Sequence, residues 1–277
     1  MMRNSHSDTL FHYTKQLSSL ISILKEGFRV SYSGEQITDK IFIGIPMVSF
    51  CDIPVDLSGE HRSKYGEYAI GIDKQKLIKA AGEHLSPVHY VIDDWPILGA
   101  YRHHEEFLKA VRKRDDFMER KRVSGAEEIT VIGHKGTIYK GYAGGSSPED
   151  YEILKCMNVL FHSQQYANYA LGITKNYTCR HDGKNFCAYD ECEWRIVIPE
   201  NQDIEGNEAK WFWSKDEFDE WKKEHGNTFL DGCLIGFEPD YINAVIVPTE
   251  QDKADLVTAM KAEDLSLHPD KIIVTNG

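Results

Sequence analysis

The sequence predicts a mixed α/β (α+β) domain built on a single mixed, partly antiparallel sheet, and three observations predict it. Short segments rich in β-branched and aromatic residues recur from residue 10 to residue 274 with a two-residue period. Helical spacing follows several of them, as in Leu17, Leu20, Ile21 and Leu24, closed by Gly27 where a C-terminal cap belongs. The last 36 residues read as strand, helix and strand, a unit whose crossover joins parallel strands.

The elements follow in order. Residues 10–14 form the first strand, with His12 and Thr14 on one face and Phe11 and Tyr13 on the other. Residues 41–45 are a short apolar run that Pro46 closes, and 47–53 are a second strand stopped by Pro54. Residues 68–72 make a third, after which Asp73 caps a helix carrying Leu77, Ile78 and Ala81. The pattern loosens over 84–170, read as a helical insertion or layer within one domain spanning 1–277. It holds a short strand near 86–91, a charged amphipathic helix over 103–122, a β-like stretch at 129–133, a glycine–serine loop at 141–148 and a helix over 149–170. Ser214 and Glu217 form a capping box for a helix with Phe218 and Trp221 on its apolar side. Residues 242–247, 252–260 and 271–274 complete the chain as strand, helix and strand.

Composition removes several function classes. A net charge of −12 and a pI near 5.5 argue against a nucleic-acid binder with a broad basic surface. The basic runs 111–114 and 120–122 alternate with Asp115, Asp116 and Glu119, so they read as a salt-bridged helix face, leaving nucleic acid at most a local basic patch. Cys179, His181, Cys187 and Cys192 fall close together but lack CxxC and HxxxH spacing, and no metal is expected. No stretch approaches a membrane span and the first residues have no apolar core of a signal peptide, so the expected setting is cytoplasmic, without membrane contact.

Chemistry concentrates near residue 190. Residues 189–198 read as one strand, with Glu191, Glu193 and Arg195 on one face and Cys192, Trp194, Ile196 and Ile198 on the other, Trp194 as a buried core anchor. If the first strand lies beside it, an imidazole, a hydroxyl and two carboxylates converge on one cleft. Ser49 on the second strand and Tyr65 and Tyr68 ahead of the third add a hydroxyl and an aromatic platform. The competing reading is a cross-strand ion pairing of Glu and Arg with no site at all. Phosphate loops, HExxH and GxSxG are absent from the sequence. A histidine, a tyrosine and a carboxylate pair without metal suit cleavage of an N-glycosidic bond, whose oxocarbenium-like transition state a carboxylate stabilises.

Several blocks then resemble the AbiGi-type abortive phage-resistance family: His12-Tyr13-Thr14 with Gly27-Phe28, residues 47–54, residues 65–72, Ser86-Pro87-Val88 and residues 189–195. The resemblance implies the antitoxin-side component of a two-gene abortive infection system, hence a partner toxin or another host or phage macromolecule. A more distant likeness is to the His–Tyr–Glu ADP-ribosyltransferases. It implies NAD as substrate, with Glu193, Glu191 and Arg195 as the catalytic set and His12, Tyr13, Thr14, Ser49, Tyr65 and Tyr68 as the cofactor-binding set. By it, His12 holds the adenosine ribose and Tyr65 or Tyr68 stacks on nicotinamide. The tyrosine spacing is shorter than in those enzymes. Two readings stay open at this point: an ADP-ribosyltransferase-like enzyme, and a non-catalytic protein that neutralises a toxin.

Overall fold

A computed structural model describes residues 7–38, 42–92, 120, 127–132, 138–143, 169–181, 184–198, 203–204, 207–208, 215–225, 229–265 and 267–275. The expected helices at 103–122 and 149–170 and the Ser214 cap lie outside the described residues, apart from Arg120 and residues 169–170. The chain divides into two compact units, one of residues 1–92 with 171–277 and one of residues 93–170. Of the second, the described part is chiefly an antiparallel hairpin, Glu127–Ile132 with Ile138–Ala143.

In chain order the strands are β1 (Thr9–Thr14), β2 (Phe28–Gln36), β3 (Phe42–Cys51), β4 (Tyr68–Asp73), β5 (Leu85–Pro87) and β6 (His89–Val91). The hairpin just described is β7 and β8. There follow β9 (Thr174–Asn176), β10 (Thr178–His181), β11 (Lys184–Cys187), β12 (Glu193–Val197), the two-residue β13 (Asp203–Ile204) and β14 (Asn207–Glu208), β15 (Phe229–Ile235), β16 (Ile242–Val247) and β17 (Ile272–Val274). The helices are α1 (Leu17–Glu26), α2 (Gly59–Tyr65), α3 (Lys74–Ala81), α4 (Lys215–His225) and α5 (Glu250–Ala262).

Nine strands of the first unit make one sheet in the order β15-β2-β3-β1-β4-β16-β17, with β12 added to β3 and β5 to β12. All its pairings are antiparallel except β16 with β17, the parallel pair expected of a C-terminal strand–helix–strand unit. The fold is thus a mixed α/β one with a large, mostly antiparallel open sheet.

The register around β3 contains the decisive irregularity. Met47 pairs with Ser31 of β2 and with Val197 of β12, while Cys51 pairs with Phe11 of β1 and with Glu193 of β12. A strand residue has only two edges, so β12 holds one edge of β3 while β2 and β1 share the other. On that shared edge β2 covers residues 42–47 and β1 meets β3 only at Cys51. The sheet therefore splits beside residues 48–50. His12 bridges the split, its ring Nδ1 lying 2.8 Å from the Ser49 carbonyl oxygen where a ladder bond would otherwise run.

The two faces differ. Leu10, Phe28, Val48, Phe50, Ile70, Ile72 and Ile196 form the main core with Leu20 and Ile23 of α1, Leu77 of α3, Phe218 of α4 and Leu256 and Met260 of α5. Each such side chain contributes roughly 1.5–3 kcal/mol on burial. The alternate residues Phe11, Tyr13, Cys51, Ala69, Ala244 and Ile246 form a smaller cluster, against which Tyr65 of α2 packs.

Four expectations are corrected. The two runs expected at 41–45 and 47–53 are joined in one strand, β3 (Phe42–Cys51), running through Pro46. A strand residue points its N–H and C=O to the same edge. The Pro46 carbonyl accepts from Ile198 N–H at 3.0 Å, so the missing donor faces the end of β12 and costs no bond to β2. The strand expected over 189–198 begins only at Glu193, because residues 188–191 form a 3-10 turn and Cys192 takes a left-handed conformation with φ of 44°. The expected strand at 86–91 is two, β5 pairing with β12 and β6 with β9. Residues 141–143 end β8 rather than belonging to a loop. Gly27 does close α1, with φ of 95° and so little room that a Cβ would lie 2.6 Å from the Ile235 carbonyl oxygen.

Candidate functional site

Beside the split lies a cavity of about 190 Å³. Its walls come from β1 (Phe11, His12, Tyr13), β2 (Ser33, Glu35), β3 (Met47, Ser49, Phe50, Cys51), α2 (His61, Tyr65), Lys175 of β9, Glu191 of the 3-10 turn and Glu193 of β12. His12, Tyr13, Ser49, Tyr65, Glu191 and Glu193 from the sequence-derived set thus surround one space. Thr14, Tyr68 and Arg195 are not among its walls. Tyr68 shares its strand face with Ile70 and Ile72 and donates to Asp252 of α5 at 2.8 Å, on the helix side. Thr14 pairs with Tyr68 at the end of β1. His12 leaves β1 on the face opposite Phe11 and Tyr13, and its ring lies edge-on to Phe28 and Phe50 of the main core.

The polar wall is a chain of charges. Arg195 is fully buried; its Nε donates to Glu193 Oε1 at 2.7 Å and one Nη to Glu193 Oε2 at 3.1 Å and Glu35 Oε1 at 2.9 Å. Its other Nη donates to the Gly172 carbonyl at 3.1 Å. Lys175 donates to Glu193 Oε2 at 2.9 Å and Glu191 Oε2 at 2.7 Å. The Tyr65 hydroxyl donates to Glu191 Oε1 at 2.5 Å, and Lys64 Nζ stands 3.8 Å from the same oxygen. The left-handed Cys192 is what brings Glu191 here: strand alternation alone would place it in line with Glu193, whereas the turn folds it back onto the same ammonium. Tyr90 accepts the Glu193 backbone N–H at 2.9 Å and fixes the start of β12.

Electrostatics follow from burial and this pairing. Burial alone raises the Glu193 carboxyl, but Arg195 and Lys175 outweigh it and hold its pKa at about 2. Burial lowers Lys175, and the carboxylates of Glu193, Glu35 and Glu191 reverse this and keep it well above its ordinary value. Desolvation lowers His61 to about 4 and also lowers His12, so both imidazoles are neutral near pH 7. Burial pushes the Tyr13 hydroxyl up to about 12 and raises the Tyr65 hydroxyl and the Cys51 thiol as well. The site therefore holds an ionised Glu193, an ionised lysine and arginine, and neutral rings.

Glu35, Lys175 and Ser33 escaped the sequence reading. The strand FRVSYSGEQ carried a signal, since Phe28, Val30 and Tyr32 alternate with Arg29, Ser31, Ser33 and Glu35. Lys175 had none: its three-residue strand has no apolar period. Trp194 is half-buried rather than enclosed. It packs on the main core, while its outer side meets the ammonium of Lys74, 4.9 Å from the ring centroid. Among the described residues no group of three or more His, Cys, Asp or Glu could hold a metal ion, and no helix is long and apolar enough to cross a membrane.

Residues 26–135 match the model of the AbiGi family. That family is described as "Putative abortive phage resistance protein AbiGi, antitoxin". The AbiGi match takes in Ser33, Glu35, Ser49, His61 and Tyr65 and leaves His12, Lys175, Glu191, Glu193 and Arg195 outside it. No curated protein and no solved structure matches the chain.

Proposed function

We propose that this chain acts on the antitoxin side of an abortive phage-resistance system, by binding a partner toxin rather than by catalysis. The AbiGi description supports the setting. One observation carries the choice of binding over chemistry: Glu193, the carboxylate best placed for catalysis, is already neutralised by Arg195 and Lys175 of its own chain. A carboxylate that stabilises an oxocarbenium-like transition state must present its charge to the reacting carbon. The cavity supports the same choice, since 190 Å³ falls below the roughly 300–1,000 Å³ of ordinary small-molecule pockets and is small for a dinucleotide.

The second reading is ADP-ribosyl transfer from NAD, with Glu193, Glu191 and Arg195 catalytic and His12, Tyr13, Thr14, Ser49, Tyr65 and Tyr68 holding the cofactor. It is favoured by the gathering of His12, Ser49, Tyr65 and Glu193 around one cavity. A paired experiment separates the two. Purified chain is incubated with labelled NAD and cell extract, and cells carrying wild type or Glu193→Gln with the toxin are challenged with phage. Binding predicts no nicotinamide release, a stoichiometric complex with the toxin, and protection by Glu193→Gln that falls only as far as its folded fraction does. Nicotinamide release that falls in Glu193→Gln by about two to three orders of magnitude, the scale of one lost electrostatic stabiliser, would establish the enzyme instead.

A further inference from the structure

The hydrogen-bonding inventory of the cavity is unbalanced. Among the described residues three carboxylates line it, Glu35, Glu191 and Glu193, against one lining cation, Lys175. Arg195, not among the walls, is shared by Glu193 and Glu35, and Lys64 Nζ stands 3.8 Å from Glu191 Oε1. An ionised carboxylate offers about four lone-pair positions and no donor. Glu193 accepts three of the bonds described above, and Glu35 accepts one, at Oε1. Oε2 of Glu35 meets no donor among the described residues. Ser33 and Ser49 also line the space. Carboxylates are prominent among its described walls, and the aromatic residues Phe11, Tyr65 and His61 line it as well.

We propose that this cavity is a binding site for a guanidinium group. A guanidinium presents five N–H donors and no acceptor, the complement of these carboxylate oxygens, and its flat delocalised cation stacks on aromatic rings. Its plane fits bidentately on a carboxylate edge, which Glu35 offers. The volume suits it, since 190 Å³ is about six waters' share of liquid and takes a guanidinium with a short alkyl stem. The neutral state of His61 leaves no second positive ring beside the incoming cation. A guanidinium reaches such a site either as a free small molecule or as an arginine side chain of a protein. The inference stands whether or not the chain neutralises a toxin.

The test uses the full chain and propylguanidinium, with propylurea as the neutral isostere, read by calorimetry and thermal shift. Propylguanidinium should bind one-to-one, and propylurea at least about tenfold more weakly, the loss of one charge-assisted contact. Glu35→Gln should weaken propylguanidinium by about tenfold or more. Should Glu35→Gln fail to fold, Ser33→Leu fills the cavity without touching the ion pairs and should abolish binding. Equal binding of the two probes, or wild-type affinity in Ser33→Leu, overturns the assignment. A capped arginine pentapeptide then names the source: tighter than propylguanidinium assigns a protein side chain, weaker assigns a free metabolite. Toxin neutralisation without probe binding rejects this site and leaves the antitoxin reading intact. Probe binding without neutralisation does the reverse.

Discussion

On one face of β12, Trp194 and Ile196 lie abreast of Phe50 and Val48 and meet a layer of helices. On the other, Glu193 and Arg195 lie abreast of Cys51 and Ser49 and meet a cavity and a chain of charges. The strand and its neighbour are the same in both cases, and only the parity of the residue differs. What the contrast teaches is how each face fails. Apolar packing is lost in proportion to the atoms removed. An internally paired charge network is lost all at once, because deleting one member strands its partners in a medium that does not solvate them.

Arg195→Met breaks the comparison hardest. Both Glu193 and Glu35 lose a buried cation, and only Lys175 remains for Glu193. Breaking a buried pair on one side costs about 3–5 kcal/mol, so most of the variant should be insoluble or unfolded at 37 °C. A chemical denaturation midpoint near wild type would mean that water reaches the network freely. Combining the change with Glu193→Leu and Glu35→Leu should recover much of the loss, since an apolar replacement of a whole ion network is often tolerated.

Acid should act next most strongly, and on the charged face first. The folded pKa of His61 is depressed, from 6.5 to about 4, so its contribution is complete above pH 6.5 and is lost as pH falls toward 4. That loss is at most about 3 kcal/mol, since each tenfold weakening of proton binding is worth about 1.4 kcal/mol. Below pH 4.5 the depressed Glu193 adds a second loss that continues toward pH 2. Urea midpoints measured from pH 7.5 to pH 3 should fall in two stages, and His61→Phe should remove the first. A flat profile down to pH 4.5 contradicts the burial of that ring.

Trp194→Ala should cost about 2 kcal/mol. A fully buried tryptophan is worth roughly 3–5 kcal/mol, and this one is open on the side of Lys74. Soluble protein with a lowered melting temperature is expected. Complete loss of the fold would restore Trp194 as an enclosed anchor.

Much of the helix-side face was legible in the sequence, because apolar residues at period two and at helical spacing report burial directly. The parallel β16–β17 pair followed from strand and helix lengths alone. The ion network was half legible. Glu193 and Arg195 are polar members of an apolar strand, and that alternation pointed to them. Lys175 sits on a three-residue strand with no apolar period, and the fold-back of Glu191 depends on a left-handed residue, Cys192, for which nothing in the local sequence is diagnostic: it is neither glycine nor asparagine. The continuity of β3 through Pro46 was hidden for a related reason. A proline ends a strand only when its missing donor faces a partner, and which edge it faces is set by residues about 150 positions away.

The smallest effect separates a cooperative network from a set of independent contacts. Tyr65→Phe removes the hydroxyl that donates to Glu191 Oε1 but keeps the ring against His61 at a centroid distance of 4.5 Å. Glu191 still has Lys175 on Oε2 and Lys64 near Oε1. A single hydrogen bond to a charged acceptor contributes roughly 1.5–3 kcal/mol, and the remaining cations should reduce the net cost to about 1 kcal/mol. Lys175→Met on its own strands two carboxylates. In the Tyr65→Phe background it should cost more than the sum of the single changes, because Glu191 then keeps only the distant Lys64. A double-mutant cycle with coupling above about 0.5 kcal/mol supports the network. Strict additivity would make the charged face as divisible as the apolar one, and the distinction between the two sides of β12 would then be one of polarity alone.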